Sequence, residues 1–195
     1  MCGDNIIRCK GGNNRLHGGL GDDRIFGGPG DDVLYDPHGN NFLGGQVGND
    51  TLTLSDGSGR SVAKGGTGDD TLISGAGSDT LRGGRGNDVS LGGRGDDTLL
   101  GGPGDDVLTG GAGADFLKGH AGANHFIFNA EEGHDRIVDF TDGIDLIVFQ
   151  GLTGINDLSI NQQGQDTIVG WGGDNDLTLM NFDSAFLTVD DFLFI

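Results

Sequence analysis

The most constraining stretch of this chain is Gly92 to Thr109, which reads GGRGDDTLL and then GGPGDDVLT. These are two copies of one nine-residue pattern, Gly-Gly-x-Gly-x-Asp-x-apolar-x, and each slot carries its own backbone demand. Glycines at positions one, two and four permit φ > 0 and a close approach of one backbone to another, so the first six residues make a turn. The last three alternate out, in, out, which suits a very short strand with Leu99 or Leu108 pointing inward. A chain built this way is turn-dense and all-β, with one core residue per strand.

The same frame runs through most of the sequence. Residues 1–8 form an incomplete copy with Gly3, Asn5 and Ile7 at the turn, ligand and core slots. Copies then start at 9, 18, 27, 36 and 45; those at 18 and 27 are faithful, and the one at 36 (DPHGNNFLG) is degenerate. After Thr53 the frame slips by two residues, Leu54 and Ser55, and resumes with a weak copy at 56 (DGSGRSVAK), followed by copies at 65, 74, 83, 92, 101, 110 and 119. An insertion this small fits a bulge at a strand end, so one continuous roll is expected over 1–127. Core slots divide between two facing sheets. One carries Leu16, Leu34, Leu52, Leu72, Ser90, Leu108 and Phe126; the other carries Ile7, Ile25, Leu43, Ala63, Leu81, Leu99 and Leu117. Because the chain opens inside a repeat, it is expected to be a piece of a longer protein.

This tandem register resembles the repeats-in-toxin (RTX) family of calcium-binding β-rolls. The resemblance implies a right-handed parallel β-roll with two nonapeptides per coil. It also implies several calcium ions between turns one coil apart, held by position-six aspartates and turn carbonyls. The implied metal ligands are Asp23, Asp32, Asp50, Asp70, Asp79, Asp88, Asp97, Asp106 and Asp115. The chemistry of the slot agrees, since calcium takes six to eight oxygens and a glycine-rich turn exposes carbonyls that bulkier residues would shield. Turn capping through Asx hydrogen bonds is the competing reading, and the tandem register of the aspartates speaks against it. Pairs with a carboxylate on both sides are Asp32/Asp50, Asp50/Asp70, Asp70/Asp88, Asp88/Asp106, Asp79/Asp97 and Asp97/Asp115. Pairs involving Asn5, Asn14, Asn41, Ser61 or Asn124 lose charge.

Composition sharpens what is excluded. With 42 Gly and only 3 Pro in 195 residues, a repeat protein fits better than a flexible linker. A formal charge of -19 argues against nucleic acid or an anionic membrane as a general partner and requires cations to relieve it. No stretch approaches a membrane span, and MCGDNIIRCKGG lacks the apolar core of a signal peptide. A disulfide between Cys2 and Cys9 would close a tiny loop and stabilise little. There is no H-E-x-x-H, G-x-S-x-G or P-loop, so no catalytic role is expected. The histidines His17, His38, His120, His125 and His134 are dispersed, and Arg94-Gly95-Asp96 is a tripeptide that repeat slots three to five generate by chance.

From Phe128 the grammar changes, and 128–195 is expected to cap the roll. IVDF at 137–140 and IDLIVF at 144–149 read as strands, Gln163-Gly164 as a hairpin turn, and Gly172 to Asn175 as a second turn. The cap is similar to the C-terminal portion of secreted RTX proteases and lipases. Its end, Asp191-Phe192-Leu193-Phe194-Ile195, resembles the acidic-plus-apolar signal of type I secretion, while a final cap strand or a short helix turn N-capped by Thr188 is the structural alternative. The resemblance implies a secreted, extracellular calcium-binding module served by the type I secretion machinery. A second expectation rests on Lys64, Arg82, Leu100 and Lys118 at position nine of the second sheet, a basic stripe that could lie along an acidic polysaccharide. Resemblance to the repeat modules of mannuronan epimerases implies an alginate-like binding module of a secreted epimerase or lyase, while solubility decoration of the sheet is the plainer reading. A free-standing extracellular calcium buffer is the third.

Overall fold

The computed structural model describes residues 3–54, 59–129 and 132–195. It is an all-β parallel roll of about eight turns, as the nonapeptide frame predicts. Strands alternate between two sheets, of eleven and nine strands. Within each sheet the register steps by 18 residues: Ser90 sits beside Leu72 and Leu108, and Leu99 beside Leu81 and Leu117. Across the insertion the step is 20, with Thr51 beside Thr71 and Phe42 beside Val62. Leu54 belongs to the strand Thr51–Leu54 and is buried; Ser55, the other residue of the expected insertion, lies outside the described residues.

The core is the two expected columns. Leu34, Leu52, Leu72 and Leu108 in one sheet, and Ile25, Leu43, Leu81, Leu99 and Leu117 in the other, are fully buried. Ile7 and Leu16, on the first strand of each sheet among the described residues, are only half-buried. In most copies close coil stacking uses glycine at positions two and four, although Gln46 and His120 adopt positive φ at position two (89° and 71°). Gly84 has φ +127°, and a Cβ there would overlap the carbonyl oxygen of Gly66 one coil earlier.

The parallel stack continues past residue 128 with His134–Ile137, Leu146–Phe149 and Phe192–Phe194. The expected strand at 137–140 lies earlier, because the Asp139 carboxylate accepts the N–H groups of Gly119 and His120 (3.0 and 2.9 Å) and bends the chain out of the strand. Two antiparallel hairpins, Leu158–Gln163 with Asp166–Trp171 and the latter with Asp176–Leu179, complete the eleven-stranded sheet, with turns at the expected positions. Trp171 packs against Phe128 and Phe149 at ring separations of 5.6 and 4.9 Å, and its Nε1 donates to the Asn129 carbonyl at 2.9 Å. At the C-terminus both structural alternatives hold. Thr188 N-caps the 3-10 turn Val189–Asp191, and the strand Phe192–Phe194 follows directly.

Candidate metal centres

Where position one is glycine, the position-six aspartate turns back toward it, and the two carboxylate oxygens then have different fates. Oδ1 belongs to a ladder. The N–H of each position-six residue donates to the Oδ1 one coil later: Asp32 to Asp50 (2.7 Å), Asp50 to Asp70, Asp70 to Asp88 and Asp88 to Asp106 (2.8 Å each). On the other edge Asp79 donates to Asp97 and Asp97 to Asp115, both at 2.7 Å, while the Asp23 Oδ1 accepts from Asn5 at 2.6 Å. All nine sequence-predicted ligands therefore fall into the two expected columns.

Oδ2 has no partner. In Asp23, Asp32, Asp50, Asp70, Asp88, Asp97, Asp106 and Asp115 it is buried without a hydrogen bond. It lies against the position-one glycine: a Cβ on Gly65, Gly83 or Gly101 would overlap the Oδ2 of Asp70, Asp88 or Asp106. Asp79 differs, because the Ser74 hydroxyl, standing at position one, donates to its Oδ2. Burial pushes Asp70, Asp88, Asp97 and Asp115 up to about 7 and Asp50 and Asp106 up to about 6; the ladder N–H opposes the rise and neighbouring carboxylates add to it. No basic side chain relieves them. Among the described residues the only ion pair joins the exposed His134 to Asp176, at 2.8 Å.

The ladder extends beyond the predicted ligands. Asp115 donates to Asp135 and Asn124 to Asp145, both at 2.9 Å; the Asp135 Oδ2 is also orphaned, and burial lifts this carboxyl to about 8. The signal for both was the half-repeat Gly-x-Asp-x-apolar, present as Gly133-His134-Asp135-Arg136-Ile137 and Gly143-Ile144-Asp145-Leu146-Ile147. Position five, read as a free slot, carries a second and exposed ladder of opposite sense. The N–H of Asp69 donates to Asn49, Asn87 to Asp69 and Asp105 to Asn87 at 2.8–2.9 Å. Among the described residues no three His, Cys, Asp or Glu side chains converge as a metal cluster, so a cation here needs backbone oxygens as well as a carboxylate pair.

Other sequence features resolve simply. His17 faces the Tyr35 carbonyl at 3.0 Å and His134 faces Asp176, each singly. In Arg94-Gly95-Asp96, the Asp96 Oδ1 accepts the Ala114 N–H at 3.0 Å, so the tripeptide is part of the repeat. Cys9 is half-buried and in no disulfide; Cys2 lies outside the described residues. The position-nine row is in register, Lys64 beside Arg82, Arg82 beside Leu100 and Leu100 beside Lys118.

The model of the RTX calcium-binding nonapeptide repeat matches residues 3–35, 55–90, 64–99, 91–126 and 162–180, well over half of the sequence. The chain belongs to this RTX family. No curated protein sequence matches it. Among solved structures, the RTX chain is similar to the extracellular lipase LipA of Serratia marcescens, with 22% identity, 89% of this chain and 40% of the lipase covered, and a TM-score of 0.42. It is also similar to the AlgE6R3 subunit of the Azotobacter vinelandii mannuronan C5-epimerase, with 22% identity, 93% of this chain and 77% of that one covered, and a TM-score of 0.26. The RTX chain thus spans well under half the length of the lipase.

Proposed function

We propose that this RTX chain is a non-catalytic module that folds when calcium binds outside the cell and supports type I secretion of a larger extracellular protein. The observation that carries the reading is the double column of buried, unpartnered Oδ2 atoms. Asp32, Asp50, Asp70, Asp88 and Asp106 on one edge, and Asp23, Asp79, Asp97 and Asp115 on the other, supply carboxylates to turns one coil apart, Asp79 with its Oδ2 already held by Ser74. Asp135 adds a further orphaned Oδ2 to the second column, and Asp145 extends the first with its Oδ2 accepting the Thr141 N–H at 2.8 Å. Calcium, when bound, supplies the positive charge that the turns lack. The protein's own part is to fix Oδ1 in the ladder, hold Oδ2 away from water and keep side chains off the glycine carbonyls. Without metal the carboxylates repel, and one apolar side chain per strand does not offset the entropy of so many glycines. At low cytosolic calcium the chain stays unfolded and threadable, and 1–127 folds as the roll after export while 128–195 caps it.

Far-UV circular dichroism during calcium titration, with magnesium as control, tests the folding step. Asp88→Ala, which removes the acceptor of the Asp70 N–H at 2.8 Å and a carboxylate shared by two coil steps, shifts the midpoint more than Asn14→Ala. A β signal unchanged from chelator to millimolar calcium refutes it. For export, deletion of the last five residues would also remove the buried Phe192 and the capping Asp191, so substitution of the exposed Leu193 and Ile195 by Ser is the cleaner test. Undiminished secretion of that variant by a type I exporter counts against the terminal address.

A second reading, binding of an acidic polysaccharide, is favoured by one observation. The basic row continues into aromatic rings: Lys64 Nζ lies 5.5 Å from the Phe42 ring centre, Phe42 packs on Phe26 at 5.4 Å, and the Arg8 guanidinium lies 4.7 Å from Phe26. No retention on an alginate column at low salt excludes it, and Lys64→Glu, Arg82→Glu and Lys118→Glu together abolish any retention that depends on the row.

A further inference from the structure

The degenerate copy at 36 departs from the repeat at three slots; besides Pro37 at position two, two changes touch the carboxylates, Asn41 at the ligand slot and Asp36 in place of the position-one glycine. The first change removes a carboxylate from the coil that stacks on Asp23. The second supplies one from an unexpected direction. Asp36 is 1% exposed, and neither of its buried oxygens has a well-formed hydrogen bond, although the backbone of Gly19 and of His38 lies near enough to favour its charge. The Asp23 Oδ2, also buried and orphaned, lies against Gly18, and Gly18 is the residue one coil below Asp36. A Cβ built on Gly18 would overlap the Oδ2 of Asp23 and the Oδ2 of Asp36 alike. Two carboxylate oxygens from successive coils therefore lie beside the same face of Gly18, near enough to each other for one hard cation with bonds of about 2.3–2.6 Å to bridge them.

We propose that Asp36 and Asp23 hold a divalent cation, calcium by the oxygen chemistry of the site, at the coil where Asn41 interrupts the ligand column. The position-one carboxylate takes over the charge that the position-six amide lacks, and the Asn41 Oδ1 keeps only its ladder role, accepting the Asp23 N–H at 2.8 Å. Ser74 shows the alternative use of the same slot. Its hydroxyl donates to Asp79 and satisfies that carboxylate, whereas an ionised Asp36 has no proton to give.

The proposal rests on calcium binding by the regular turns, and the test separates the two. Calcium bound per chain at saturation is counted by isothermal titration calorimetry and by mass spectrometry under non-denaturing conditions, for the unmodified chain, Asp36→Asn and Asp36→Gly. Asp36→Asn keeps the side-chain volume, and Asp36→Gly restores the repeat's own residue at the slot, so at least one of them retains the fold. Each is expected to bind one calcium ion fewer, while Asp88→Asn loses binding on the opposite edge independently. Calcium bound by the unmodified chain with the same count and isotherm in both Asp36 variants, as a permanently protonated Asp36 would give, overturns the inference and leaves the regular turns standing. No calcium binding by the unmodified chain overturns both.

Discussion

In the absence of metal, raising the pH from about 4 to about 8 should unfold this protein. Eight buried carboxyls, Asp36, Asp50, Asp70, Asp88, Asp97, Asp106, Asp115 and Asp135, are raised from 3.8 to between about 6 and about 8 by burial and by one another. Their folded-state pKa exceeds the unfolded value, so the folded state binds more protons across that window. The stability they allow is fully present below the unfolded pKa and is lost as pH rises through the folded one. One pKa unit is about 1.4 kcal/mol. Because these carboxyls interact with neighbouring carboxylates, crediting each with a single unit is a discount, and the eight still sum to roughly 11 kcal/mol, as large as the whole stability of an ordinary domain. The assay is far-UV circular dichroism of metal-free protein across that range, with sedimentation to detect association near the sequence pI of about 4.1. The β signal should be strongest in acid and fall toward pH 8, where millimolar calcium restores it. A metal-free signal that is flat or rises with pH refutes the argument.

Other perturbations separate packing from charge. Gly84→Ala places a Cβ on the Gly66 carbonyl at φ +127° and should cost about 3 kcal/mol or more in calcium-saturated denaturant melts, whereas Gly164→Ala, at φ +69° in open space, should cost about 1 kcal/mol. Ser90 occupies a core slot 1% exposed with its hydroxyl unpartnered, so Ser90→Ala should raise the calcium-saturated melting temperature; a lowered one means the hydroxyl is satisfied after all. Trp171, the sole tryptophan, is buried in the aromatic cap, away from the thin leucine columns. Its emission should stay blue-shifted at calcium levels where the β signal is already lost, and coincident midpoints for the two probes would show that cap and roll melt as one unit.

The roll was legible because its period is strict: Leu34, Leu52 and Leu72 occupy every expected inward slot, and both ligand columns followed from counting. Part of what escaped lies beyond the last full repeat, where the step changes again. Asp135 and Asp145 join the ladder at steps of 20 and 21, and only the rear half of the repeat marks them. Asp36 escaped because a glycine slot filled by another residue reads as decay of the pattern. Only the stacking of Gly18 beneath it shows what the replacement faces. The position-five ladder was visible as a run of Asp and Asn, among them Asp31, Asn49, Asp69, Asn87 and Asp105, but its direction across coils is a property of backbone geometry.

Hydrogen bonding alone does not call for aspartate in the ladder. Asn41 and Asn124 accept the N–H groups of Asp23 and Asp106 through Oδ1, at 2.8 and 3.2 Å, and Ser61 accepts from Asn41 at 3.0 Å. The second amide atom also finds partners: Asn41 Nδ2 donates to the His38 carbonyl at 3.1 Å, and Asn124 Nδ2 to the Asp145 Oδ1 at 3.0 Å. An asparagine in the slot is therefore self-sufficient, while an aspartate leaves a buried oxygen unpartnered at a cost of about 1–3 kcal/mol, more when it is charged. A metal-free roll would be steadier with asparagine throughout. The aspartates lower its stability at neutral pH and can return it only through an external positive charge, which is the property that calcium-conditional folding, as proposed, requires.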